Sequence, residues 1–302
     1  MQVDGKSGKK LILHIGCEKT GSTSIQKFFR INRPLLEKAG FYYPTVLGLE
    51  NHTKLAIYAS NADNKLRQFI KEKDREIYRD LDSLLKEEIE RTSANTVVMS
   101  NEWLHSRLQA TNEFSKLKLL LSSIFESIQV HMYIRKQDDV ACSLYSTAMK
   151  SGQSFPFPIP YGKPYYYNYN SIFDNWSKAF GMANVFVHIY EKGCLEHGDV
   201  VHDFCKVIGL EDLSHFTMPT LENTAFTDEG LKVIREFNKS NQGMPENLRK
   251  LKMAELSEKF KGSNSLLDKH KDELAGFVEK YAEDNQLLAN KLGRAKLFED
   301  ST

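Results

Sequence analysis

Cysteine is scarce in this chain. Cys17, Cys142, Cys194 and Cys205 are all there are in 302 residues. They form no CxxC pair and no Cys/His cluster at metal-ligand spacing, which excludes a disulfide framework and a zinc module. Buried thiols in a reducing compartment are the expectation. Net charge is nearly absent as well: 41 Lys and Arg stand against 40 Asp and Glu. No global field is available to hold nucleic acid or an anionic membrane surface. A local anion site stays open, because it needs only a few charges. No apolar run reaches membrane length. The polar MQVDGKSGKK leads straight into the first strand with no signal-peptide pattern. A soluble, cytoplasmic protein without an integral membrane segment is expected. Internal repeats and low-complexity tracts are missing too.

What is present alternates. LILHI (11–15), TVVM (96–99), IQVHMYI (128–134) and NVFVHIY (184–190) are short apolar runs that read as strands. Helical periodicity occupies 21–33, 64–91, 112–124, 138–150, 171–180 and 199–208, then 227–240, 246–260 and 266–291. The dense charge of 64–91 reads as a solvated helix face. Strands separated by helices predict an α/β protein with a parallel sheet. The chain reads as a single domain over 1–302, with a helical part from about 211 to 302 packed on the core. One segment is irregular: SGQSFPFPIPYGKPYYYNYN (151–170), where Pro156, Pro158, Pro160 and Pro164 forbid a regular helix.

The most informative stretch is LILHIGCEKTGSTSIQ, residues 11–26. A buried strand reaches Gly16 and then turns through KTGST into a helix, as a phosphate-binding loop does. Gly16 and Gly21 hold the spacing of the two glycines of G-x-x-x-x-G-K-[ST]. Ser22 occupies the usual lysine position, and the lysine of the loop is Lys19. Backbone amides at the helix start, with the hydroxyls of Thr20, Ser22, Thr23 and Ser24, offer donors to an anion. No strand ends in the hydrophobic-then-Asp pattern that holds magnesium. A strand–helix turn of no chemical significance is the competing reading. A second segment argues against it: YIRKQDDVACSLYSTAMKSG (133–152). Arg135 projects from a strand end there, and Asp138 opens a helix that carries Ser143. Both can reach one phosphate at the carboxyl edge of an open sheet.

Together these segments resemble the sulfotransferase superfamily that uses 3′-phosphoadenosine-5′-phosphosulfate (PAPS), and its bacterial carbohydrate-type members in particular. KTGSTSIQ resembles the 5′-phosphosulfate loop, and R-x7-S from Arg135 to Ser143 resembles the 3′-phosphate site. VFVHIYEKG (185–193) is similar to a strand whose tyrosine lies near the adenine, here Tyr190. The similarity continues through FG-x-x-NV (180–185), DF-x-x-x-IGL (203–210) and N-x-x-F-T-x-E (223–229). It implies a P-loop-like three-layer fold, a central parallel sheet flanked by helices, with a helical C-terminal region. It also implies PAPS as co-substrate, with no metal required. Lys19 would face the oxygen between phosphate and sulfate, where charge develops during sulfuryl transfer.

An acceptor hydroxyl needs a general base. The stretch matching the family's base position is VVMSNEWLHS (97–106), which puts Glu102 first and His105 second. A carboxylate that complements a helix dipole is the competing reading of Glu102. His14 on the buried strand reads as a core histidine. The aromatic residues Phe155, Phe157, Tyr161, Tyr165, Tyr166, Tyr167 and Tyr169 could stack on sugar rings or pack as a stiffened lid. Lys150 and Lys163 could meet an anionic acceptor. The expected partner is an acceptor saccharide or glycolipid. A P-loop small-molecule kinase and a non-catalytic nucleotide-binding relative are the alternatives.

Overall fold

A computed structural model describes residues 8–63, 65–69, 78–157, 164–220 and 225–299. Its centre is a sheet of five strands in the order β2-β3-β1-β4-β5. They are β1 (Lys10–His14), β2 (Phe41–Tyr42), β3 (Thr96–Ser100), β4 (Ser127–Ile134) and β5 (Val185–Ile189). Every pairing is parallel, with β1 between β3 and β4. The helices, in chain order, are α1 (Ser22–Ile31), α2 (Arg33–Lys38), α3 (Thr53–Ala59), α4 (Leu81–Arg91) and α5 (Trp103–Arg107). They continue with α6 (Thr111–Ile124), α7 (Gln137–Lys150), α8 (Pro164–Tyr167), α9 (Tyr169–Phe180) and α10 (Val200–Ile208). The last are α11 (Asp228–Ser240), α12 (Glu246–Lys259), α13 (Leu266–Lys269), α14 (Lys271–Glu279) and α15 (Ala282–Lys291).

Parallel strands need crossovers, and crossover helices cover both faces, so the central strands β1, β3 and the end of β4 are buried on both sides, while the edge strands β2 and β5 are partly exposed. Alternation divides them. Leu11, Leu13, Val97, Met99, Val130 and Met132 join the larger core, with Trp176 of α9 and Leu117 of α6. Ile12, Val98 and Tyr133 face the smaller core under Phe28 and Phe29 of α1 and Phe204 of α10. This second face also carries histidines. His14 lies 5.2 Å from the Phe204 ring, and His131 stacks on His188 at 5.3 Å. A third cluster joins Tyr145 and Met149 of α7 to Phe226, Ile234 and Phe260, tying the C-terminal helices to the core.

The predicted strands are all present within a residue or two. The predicted helix 266–291 is three pieces, α13 to α15, and 21–33 ends at Ile31 before α2 begins. Strand β2 and helices α2, α3 and α8 have no counterpart in the sequence reading, being too short to show a period; α8 opens on Pro164, inside the segment expected to be irregular, because proline is tolerated in a helix's first turn. Residues 70–77 of the predicted 64–91 helix lie outside the described residues, as do Tyr161, Lys163 and Asn223.

Candidate active site

Strand order fixes where ligands can sit. The chain leaves β1 for β2 and β3 on one side, then crosses to β4 and β5 on the other. The crevice beyond β1 is the switch point of such a sheet. The loop after β1 stays zipped to β4, since Ile15 N donates to His131 O and Cys17 N to Tyr133 O, both at 2.9 Å. It then turns through residues with positive φ: Gly16 (73°), Lys19 (70°) and Gly21 (76°). A Cβ on Gly16 would fall 2.7 Å from the Glu102 Cβ, so only glycine lets the loop abut that carboxylate's backbone. A Cβ on Gly21 would fall 2.6 Å from Val200 Cγ1 and 3.2 Å from the Tyr190 ring. Gly21 ends the loop as the N-cap of α1, and no acidic residue occupies the first turn. The first helical amides to find partners are Ser24 and Ile25, both bonded to Gly21 O. The positive end of α1 is therefore left to a ligand.

A cleft of about 970 Å³ opens over this loop. Lys19, Gly21, Ser22, Thr23, Ser24, Glu102, Arg135, Ser143 and Tyr190 all border it. Sequence positions far apart are thus brought together around one cleft. The Lys19 ammonium donates to Thr147 Oγ1 at 2.7 Å, across the cleft on α7. Burial lowers the Lys19 pKa, with Lys150 and Arg135 adding to the effect and Glu18 and Glu102 opposing it. The Arg135 guanidinium sits 5.6 Å over the Tyr190 ring and 3.5 Å from the Asp139 carboxylate. It also donates to Lys19 O at 3.4 Å, joining the two anion-binding segments.

Glu102 stands at the N-cap position of α5 without a side-chain capping bond, and it accepts a 2.8 Å bond from Gln26 Nε2. Gln26 also donates to Ser100 Oγ at 3.2 Å, and that oxygen lies 2.7 Å from His14 Nδ1. The carboxylate is thus held from below by a buried polar chain. His14 Nε2 has no partner, and burial followed by the charge of His188 pushes its pKa down to about 3.

Some expected groups point elsewhere. The Thr20 hydroxyl turns inward and donates to Cys17 O at 2.7 Å, so it fastens the loop instead of facing the cleft. His105 is fully buried, 5.4 Å from the Tyr166 ring, and neither ring nitrogen has a partner. Its pKa falls to about 3 through burial. The reason is helical geometry: Trp103 and Arg107, four apart, face the cleft, which turns the residue between them inward. The aromatic segment is also mostly interior. Tyr166, Tyr167 and Tyr169 are buried in the core, Tyr165 packs against it, and Phe155 and Phe157 pack on Tyr145. Lys150 lies 5.1 Å over the Phe226 ring. The aromatic rings that border the cleft are Trp103 and Tyr190, among the described residues. Trp103, Arg107, Gln26 and Thr147 were not anticipated. Position beside Glu102 was the available signal for Trp103, and spacing four beyond it for Arg107.

The residues test well for a polyanionic nucleotide: a glycine cradle that side chains would fill, a helix start without acid, and cations at both ends. Among the described residues, no group of three or more His, Cys, Asp or Glu is arranged to hold a metal. No helix among them is long and apolar enough to cross a membrane.

Comparison with known proteins agrees on architecture. A crystal structure of a sulfotransferase from Alicyclobacillus acidocaldarius superposes with a TM-score of 0.51 over 97% of each chain, at 14% identity. The chain has that α/β, P-loop-like fold. An uncharacterized protein of Archaeoglobus fulgidus is 26% identical over 195 residues, or 64% of this chain and 52% of that protein. The chain therefore spans about half the length of that curated relative. No family model matches the sequence.

Proposed function

We propose that the protein is a PAPS-dependent sulfotransferase acting on an acceptor hydroxyl of a saccharide or glycolipid. The observation that carries this reading is Lys19. It stands at φ 70° in a glycine-framed loop, with its ammonium crossing the cleft toward the helix that bears Ser143. A left-handed lysine costs about 1–2 kcal/mol and persists where the surroundings enforce it. Here those surroundings are an anion cradle.

The loop 16–24 would hold the 5′ end of PAPS, Arg135 and Ser143 its 3′-phosphate, and Tyr190 the base. PAPS supplies the sulfuryl group. The Lys19 charge would meet the negative charge that grows on the departing phosphate. The Glu102 carboxylate, fixed by Gln26, would take the acceptor's proton. The superposed sulfotransferase fold supports the reading. The residue following Gly21 is serine, which leaves the loop without the usual lysine of a nucleoside-triphosphate enzyme.

Titration calorimetry with 3′-phosphoadenosine-5′-phosphate, in the absence of metal and with ATP as competitor, tests the donor assignment. Micromolar binding of the bisphosphate with far weaker ATP is the expected result. Preference for ATP with magnesium would overturn it in favour of a kinase.

A further inference from the structure

The main cleft balances its charges. Among the described residues that border it, Glu18, Glu102 and Asp139 stand beside Lys19, Arg107 and Arg135. These side chains give a cleft shaped for an anion no net positive charge, and each carboxylate opposes an incoming phosphate. Two of the three have other duties. Glu18 accepts from Ser106 Oγ at 3.1 Å and lies 3.9 Å from Arg107, which fastens the loop to α5. Glu102 is held by Gln26. The Asp139 carboxylate meets one side chain among the described residues, the Arg135 guanidinium at 3.5 Å.

The two helices that flank the cleft begin differently. Helix α1 has no acid in its first turn, whereas α7 has Asp138 and Asp139. One carboxylate serves a helix dipole. Asp138 supplies it, and its Oδ1 accepts from Asp139 N at 2.9 Å. Asp139 is the one that borders the cleft. Arg135 does not need Asp139 to stay in place. Its guanidinium lies 5.6 Å over the Tyr190 ring and donates to Lys19 O at 3.4 Å, and its backbone carbonyl accepts from the Tyr169 hydroxyl at 2.7 Å. What Asp139 adds is charge. Arg135 and Asp139 are 27% and 29% exposed, so solvent screens them less than a surface pair. A phosphate bonded to the same guanidinium would lie within roughly 7 Å of the Asp139 carboxylate, inside the Debye length of about 8 Å.

We propose that Asp139 is a counter-charge built into the donor site: it pairs with Arg135 and repels the 3′-phosphate, so that the bisphosphate is held more weakly than the cradle alone would hold it. The inference rests on the donor assignment above, in which Arg135 meets the 3′-phosphate. A loosely held bisphosphate leaves sooner and frees the cleft for the next donor. Titration calorimetry on the full chain tests this. Asp139→Asn keeps the shape, and an oxygen that can accept from the guanidinium, while removing the charge. It is expected to bind 3′-phosphoadenosine-5′-phosphate about fivefold tighter or more at low salt. The gain should shrink at high salt. Asp139→Glu, which keeps the charge, is expected to stay within about twofold of the wild-type protein. Adenosine 5′-phosphate lacks the 3′-phosphate, so its affinity should change by less than about twofold in Asp139→Asn. Unchanged or weaker bisphosphate binding by Asp139→Asn would overturn the inference, because the carboxylate would then only position Arg135. An equal gain for adenosine 5′-phosphate would also overturn it, because the effect would not lie at the 3′-phosphate. A wild-type protein that binds no bisphosphate would instead overturn the donor assignment.

Discussion

At the scale of single residues, the proposed mechanism gives Lys19 an electrostatic role and Glu102 a proton-accepting one, while His105 packs in the core. Lys19→Ala is expected to lower turnover by roughly 10²–10³ while changing bisphosphate affinity far less, because in the proposed mechanism its charge would act on the transition state. Single-turnover kinetics beside calorimetry read the two effects separately, and unchanged turnover would remove Lys19 from the chemistry. Glu102→Gln keeps the shape but would remove the proposed proton acceptor. A loss of about 10²–10⁴ in turnover is expected, with bisphosphate binding intact. His105→Leu should behave oppositely. Its ring nitrogens are buried without partners, so an apolar side chain of similar size is expected to leave turnover unchanged. Thermal stability should be equal or higher, by up to about 1 kcal/mol. Lost turnover in a well-folded His105→Leu protein would contradict this.

At the scale of elements, the sheet face under α1 and α10 carries an acid sensitivity. Burial, its largest cause, and neighbouring charge hold His14 down to about 3, His188 to about 4 and His131 well below the usual histidine value. His52, whose Nδ1 accepts from Ser100 N of β3 at 2.9 Å, is also lowered to about 3 by burial. These groups are neutral when folded and titrate near 6.5 when unfolded. Protonation therefore favours the unfolded chain. Stability is fully present above about pH 6.5 and erodes as pH falls toward the folded values, by at most about 1.4 kcal/mol per pH unit for each histidine. Melting temperatures followed by circular dichroism from pH 8 to pH 5 should fall below pH 6.5; a flat profile would exclude the effect. The elements also show what the sequence made legible. Strands β1, β3, β4 and β5 were readable because burial on both faces writes them as apolar runs. The loop was readable because the Gly16 and Gly21 positions admit no side chain. Strand order was not readable, since no pattern within a strand names its neighbour. Nor was the fate of the aromatic segment, because a tyrosine that stacks on ligand and one that fills a core have the same composition. Tyr169 shows the difference: it is fully buried, and its hydroxyl donates to Arg135 O at 2.7 Å.

At the scale of the whole molecule, the helical C-terminal part is joined to the site. Gln137, at the start of α7, donates to Asn285 of α15 at 2.8 Å, and Lys291 reaches Asp174 of α9 at 2.6 Å. Asn238 of α11 donates to Met149 O at the other end of α7 at 2.8 Å. The helix bearing Ser143 and Thr147 is thus clamped at both ends by the last third of the chain. Scanning calorimetry is expected to show one cooperative transition, as for a single domain. Two separated transitions would mean that the helical part folds alone.

Thr23 and Glu102 border both the main cleft and a second space of about 470 Å³, and that seam has a consequence for traffic. Were donor and acceptor to occupy one space each, either could arrive first and neither would block the other. Initial-rate plots at varied donor and acceptor should therefore intersect, with each dead-end inhibitor competing against a single substrate. Parallel lines would instead require the enzyme to carry the transferred group between two separate visits.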